Sequence, residues 1–144
     1  MTRTKLLRKQ HEDIEIIARE LLHDSRNIQN WDDAKLVHRK LLRLDSLLTT
    51  HLNSEDYFLY PEMISSDDYE ASTVATRFST EMGGLASRYN AFKIRWTSAE
   101  QLQINPIGFQ SELRTILAAI FIRNKKENAE LFPLADRLPG REAA

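Results

Sequence analysis

The stretch HLNSEDYFLYPEM, residues 51–63, returns at residues 123–135 as RNKKENAELFPLA with the same skeleton, X-x-x-x-E-[DN]-x-x-L-[YF]-P. His51 stands four residues before Glu55 in the first copy, and Arg123 stands four before Glu127 in the second. A spacing of four puts both members of each pair on one face of an α-helix. Both copies close on a proline, which disrupts helical hydrogen bonding. Pro61 and Pro133 are therefore expected at or near the ends of two helices that leave the fold in the same way.

Upstream of each copy runs an apolar row stepped by three and four. Val37, Leu41, Leu44 and Leu48 lead into His51, Glu55 and Phe58, while Phe109, Leu113, Ile116 and Ile120 lead through Arg123 and Glu127 to Leu131 and Leu134. Such rows are the mark of amphipathic helices. Two more lie outside the repeat. Leu7, Ile14, Ala18 and Leu21 form one, with His11 at its vacant step. Val74, Phe78, Leu85, Tyr89, Phe92 and Trp96 form the other, with Glu81 at its vacant step. Breaks fall at HDSRNIQN, MISSDDYEAS and TSAEQLQINP; Asn30 or Asp32 suits the cap of the second helix, and Pro106 the first turn of the fourth. The pattern predicts helices near 4–24, 32–62, 68–97 and 107–138. Short connections make an all-α, antiparallel up-down-up-down four-helix bundle the economical topology, and the length of 144 residues fits a single domain over 1–144.

Each helix thus places an ionisable residue on the face it must bury, and burying such groups unpaired costs several kcal/mol or forces neutralisation. They are expected to meet in one layer. Two readings of that layer stay open: a salt-bridge cluster in which Arg123 answers the carboxylates, and a metal site built from facing helices. His23 and His38 lie near helix ends or off the rows and are assigned to surface or packing roles. With no cysteine, any metal must use His, Asp or Glu. A net charge of −1 with 28% charged residues gives no electrostatic reason to favour nucleic acid or anionic lipid. No segment approaches the length of apolar sequence that spans a membrane, and the N-terminal stretch lacks a signal-peptide pattern. The expectation is a soluble cytoplasmic protein with no nucleic-acid or membrane partner, a protein partner being open.

At these residues the sequence resembles the hemerythrin family, specifically the bacterial HHE cation-binding domains. HEDIEIIARELL resembles the family's first-helix histidine segment, HLNSEDYFLYP matches its second-helix motif in full, and RNKKENAELFP matches the fourth-helix motif except at its histidine. The resemblance implies that His11 and His51 ligate one iron and that Glu55 and Glu127 are bridging carboxylates. It departs at the second iron, because the family's histidines on helices three and four are missing. Glu81 stands in that region of helix three, and Arg123 stands on helix four. Arginine is always protonated and cannot ligate, but a guanidinium among Glu55, Glu81 and Glu127 would supply the positive charge of the lost ion.

Three functions follow. The first is a one-metal site of His11, His51, Glu55 and Glu127 for Fe(II), Mn(II) or Zn(II), with oxygen, nitric oxide or another small diatomic as ligand, in redox sensing or metal storage. Sensing or storage follows more easily than catalysis. The second is a metal-free regulatory or protein-binding bundle in which Arg123 replaces a metal. The third is a two-ion centre with Glu81 as a ligand and Arg123 turned outward.

Overall fold

The Asn30 side chain accepts a hydrogen bond from the Asp33 amide at 2.9 Å, which satisfies one of the donors left unpaired at a helix start and opens the helix that carries the first motif. The structure, a computed structural model describing residues 3–139, is all-helical, with no strand among the described residues. Helix α1 spans Lys5–Ser25 and α2 spans Trp31–Ser54. A π-helical turn, Glu55–Leu59, runs without a break into α3, Tyr60–Ile64. Next come α4, Tyr69–Met82, α5, Leu85–Arg95, and the short α6, Ala99–Ile104. Helix α7, Pro106–Lys126, then passes through a second π-turn, Glu127–Leu131, into α8, Phe132–Arg137.

The repeat in sequence is thus a repeat in backbone. In each copy the residue before the proline closes the wide turn, with the Tyr60 amide donating to the Glu55 carbonyl and the Phe132 amide to the Glu127 carbonyl. A π-turn holds one more residue than an α-turn and is often found at functional sites. Pro61 and Pro133 sit in the first turns of α3 and α8, which end at Ile64 and Arg137, so both prolines lie near the ends of their helical runs as the repeat predicts. The extra residue corrects a different expectation. Phe58, placed on the inner row by an unbroken α-helical period, is 73% exposed, and Leu59 is buried instead.

The third predicted helix is broken. A Cβ at Gly83 would collide with the Ser79 carbonyl, so the tight turn that ends α4 there requires glycine, and α5 restarts at Leu85. The segment TSAEQLQINP, expected to be a connection, contains α6. Ser98 and Gln101 cap it reciprocally.

Cross-helix pairings give the directions. Gln10 meets His51 while Lys40 meets Asp24, so α1 and α2 run oppositely. His11 meets Asn128 while Arg19 meets Phe121, and the same holds for α1 and α7. Arg77 meets Glu130 while Arg95 meets Glu112, so the α4–α5 run also opposes α7.

The apolar interior falls into two clusters. The larger includes Ile14, Leu41, Leu44, Phe92, Phe109 and Leu117; the smaller includes Leu59, Met63, Phe78, Leu131 and Phe132. Burial of each such side chain contributes about 1.5–3 kcal/mol. Along α1, α2 and α7 the polar steps fall between the two. The smaller cluster is closed at the chain ends, where the buried Thr4 donates from its amide and hydroxyl to Asp136 at 3.0 and 2.9 Å, and Arg137 grips Asp68 at 2.9 and 2.7 Å.

Candidate metal centre

His11, His51, Glu55, Arg123 and Glu127 are all buried, with Arg123 1% exposed. The i,i+4 spacing of His51 with Glu55, and of Arg123 with Glu127, brings each pair to the inner face just where its helix widens into the π-turn. Helix α1 lays His11 across them.

Each carboxylate turns one oxygen to Arg123 and the other to His11, and the Glu55 oxygen on the arginine side also lies 3.1 Å from His51 Nε2. Glu55 Oε1 accepts from Arg123 Nη2 at 3.2 Å, while Glu55 Oε2 lies 3.6 Å from His11 Nε2. Glu127 Oε2 accepts from Arg123 Nε at 3.0 Å and from the Tyr60 hydroxyl at 2.6 Å, while Glu127 Oε1 lies 3.0 Å from His11 Nε2. The oxygens beside His11, Glu55 Oε2 and Glu127 Oε1, have no hydrogen-bond partner, nor do His11 Nε2 and His51 Nε2. Close approach without hydrogen-bond alignment leaves four buried polar atoms unsatisfied, at a usual cost of about 1–3 kcal/mol each.

These four residues offer ligand atoms within 4.8 Å of one another, and they form a group that could hold a metal ion. The opposite ring nitrogens are committed. His11 Nδ1 lies 2.8 Å from Asn128 Oδ1 and His51 Nδ1 lies 2.7 Å from Gln10 Oε1. An acceptor on Nδ1 holds a proton there, so that once Nε2 gives up its own proton its lone pair points inward, the arrangement in which histidine ligates metals. Two imidazole nitrogens and two carboxylate oxygens suit a divalent ion of intermediate softness. The residues present therefore fit a cation.

Arg123 is fully engaged. Besides Glu55 and Glu127 it donates from Nη2 to Asp56 at 2.7 Å and from Nη1 to the Met82 carbonyl at 3.3 Å. Met82 ends α4, where terminal carbonyls lack intrahelical partners and the helix dipole favours a cation. The Tyr60 ring lies under the guanidinium, 5.3 Å from its carbon.

Burial disfavours the charged form of His11, but Glu127 and Glu55 outweigh it and the ring is pushed up to about 9. Burial likewise works to raise Glu55, yet His11 and His51 hold it well below the usual carboxylate range. Glu127 is pushed up to about 7 by burial and by the charge of Glu55. Burial pushes the Tyr60 hydroxyl up, so it stays protonated and donates to Glu127. His11 is protonated more readily in the fold than in the unfolded chain, so its stabilisation is complete below pH 6.5 and is lost as the pH rises through about 9. The metal-free protein is expected to lose roughly 3 kcal/mol over that range. Urea unfolding in chelator at several pH values measures it, and stability that climbs from neutral pH to 9 contradicts it.

Glu81 is not brought to this layer. Its side chain is 46% exposed and pairs with Lys126 at 3.5 Å, because the inner row of α4 continues from Phe78 to the half-buried Met82 just before the Gly83 turn. The backbone carbonyl of Met82 reaches Arg123 in its place. His23 and His38 lie away from the cluster, His38 pairing with the Thr97 carbonyl. Four side chains that shape the site were not singled out from sequence: Asp56, Tyr60, Gln10 and Asn128. Asp56 and Asn128 occupy the same [DN] position of the repeat, and Tyr60 its [YF] position, so the motif carried a signal for three of them. Gln10 had none.

Residues 2–135 match the family model described as the hemerythrin HHE cation binding domain. Neither a curated protein nor a solved structure matches the chain. No helix among the described residues is long and apolar enough to cross a membrane.

Proposed function

Because the chain belongs to the hemerythrin HHE cation-binding family, we propose that His11, His51, Glu55 and Glu127 hold one divalent cation, with Arg123 as the centre's second positive charge. The observation that carries this reading is the division of the carboxylate oxygens. Arg123 takes one oxygen of each glutamate, the other oxygen of each lies unsatisfied beside His11 Nε2, and His51 Nε2, also unsatisfied, lies 3.1 Å from the Glu55 oxygen that Arg123 holds. Charge agrees with the count. Glu55, Glu127 and Asp56 bring three negative charges, which a guanidinium and one divalent ion balance, whereas a second divalent ion would be left uncompensated.

Iron(II) is the ion we assign, with Mn(II) and Zn(II) compatible with the same donors. When bound, a ferrous ion supplies a redox-active Lewis acid able to meet oxygen, nitric oxide or peroxide, which supports a role in sensing or metal storage. The chain's own residues do the rest. Gln10 and Asn128 orient the two rings, Tyr60 and Arg123 fix Glu127, and the apolar clusters on either side exclude water.

The test is an anaerobic titration of chelator-stripped protein with Fe(II), and separately with Zn(II), following thermal unfolding and counting ions per chain. One ion per chain and a melting temperature that climbs with ion concentration are expected. Two ions per chain overturn the one-ion reading; no binding leaves the metal-free bundle, with Arg123 as the sole cation. A finer expectation concerns the orienting amide. Asn128→Ala should weaken ion binding by about 10–100-fold without changing stoichiometry, and an unchanged affinity would remove Asn128 from the ligand-orienting role.

A further inference from the structure

We infer that the outward face of α7 docks an acidic amphipathic helix of a partner protein. The inference goes beyond the metal centre and does not depend on whether an ion is bound. Helix α7 is the least amphipathic of the long helices. One face is buried in the bundle through Phe109, Leu113, Ile116 and Ile120, yet the opposite face is not the solvated charged surface that such a helix ordinarily shows. Ile107, Ser111, Ala118 and Ile122 lie along it at helical spacing, and Ile107 and Ile122 are 81% and 56% exposed. Between the isoleucines Ser111, Thr115 and Ala118 are short and Arg114 is long, so a second helix can approach to the distance of ordinary helix packing where Arg114 reaches along its flank.

Grooves flank this ridge on both sides. One, a cavity of about 300 Å³, lies between α5 and α7; others lie between α1 and α7. Their charges are one-sided. The two acids lining them, Glu15 and Glu112, are already paired with Arg19 and Arg95. Arg26, Arg88, Arg114 and Lys125 line the same grooves, and no carboxylate among the described residues pairs with any of them. Two of these cations, Arg114 and Lys125, are on α7, and Arg26 and Arg88 stand across the grooves after α1 and on α5; around one ridge of a chain with net charge −1 they attract a partner of opposite sign and steer its approach.

Charge also selects among occupants. A second copy docking α7 against α7 would bring these cations together from both chains, which disfavours a symmetric dimer. A membrane surface would be met by bulky apolar side chains, whereas the centre of this ridge is Ser111, Arg114, Thr115 and Ala118. An apolar seam with glutamates on both flanks matches the ridge and its grooves together.

The probe is a synthetic helix with alanine and leucine on one face and glutamate along both flanks, titrated into the full chain and compared with the same helix carrying lysine flanks. Saturable binding of the glutamate helix, weakening as salt rises, is expected. So is a loss of at least about tenfold in Arg114→Glu/Lys125→Glu, and loss of binding in Ala118→Trp with the melting temperature unchanged. Equal binding of the lysine helix overturns the proposal, as does no binding of either. Tighter binding to phosphatidylserine vesicles or to single-stranded DNA than to the glutamate helix overturns it as well. So does a dimer of the unliganded chain that Ala118→Trp dissolves.

Discussion

Arg123→Ala is expected to lower the stability of the metal-free protein by roughly 3–5 kcal/mol, the cost of removing one partner from a buried ion pair. The guanidinium donates to Glu127, Glu55, Asp56 and the Met82 carbonyl. Without it, Glu55 and Glu127 face each other in the interior with only His11 and His51 to balance them. Chemical unfolding in chelator measures the loss, and a change below about 1 kcal/mol would place the guanidinium outside the energetics of the core. Arg123→His should part from alanine. A histidine at this position restores an imidazole beside both glutamates and removes the fixed cation, so the number of ions bound per chain should exceed that of the parent protein. An unchanged ion count shows that Arg123 is not what limits the centre to one ion.

His51→Ala should abolish ion-linked stabilisation. An ion present at a thousandfold excess over its dissociation constant stabilises a protein by about 4 kcal/mol, and His51 supplies one of the two nitrogens of the site. In the metal-free protein the same change removes a ring that is hydrogen-bonded to Gln10 and lies 3.1 Å from Glu55, a loss read without ion, so the two conditions separate its roles. Thermal unfolding with and without added Fe(II) reads both, and a melting-temperature rise equal to that of the parent protein would take His51 out of the ligand set.

The rows of α1, α2 and α7 were legible because three and four residue steps dominate a helix packed on one side, and the inward position of Arg123 followed from the same periodicity. The Asn30 cap was legible from its residue type. What periodicity could not register was an added residue that leaves the helix unbroken. The π-turn moved Phe58 out and Leu59 in, although the L-[YF]-P repeat marked where it happens. Glu81 failed for a related reason. Steps of three and four from Phe78 reach Glu81 and Met82, and the end of the helix at Gly83 decided for methionine. Gln10 lay beyond sequence reasoning altogether, since a half-buried amide next to a ligand histidine looks like any surface glutamine.

The polar layer also separates two apolar clusters of unequal size, and the separation has a kinetic side. Hydrophobic packing is cooperative only among residues that touch, and the cluster around Met63, Phe78 and Phe132 is the smaller one, held shut by the Thr4–Asp136 and Arg137–Asp68 contacts at the chain ends. Local openings cost less than global unfolding and follow such units. Release of these two contacts is therefore expected to uncover His11 and Glu127 while the larger cluster stays packed, so the buried centre should exchange with solvent at the rate of a clasp releasing, faster than the bundle unfolds.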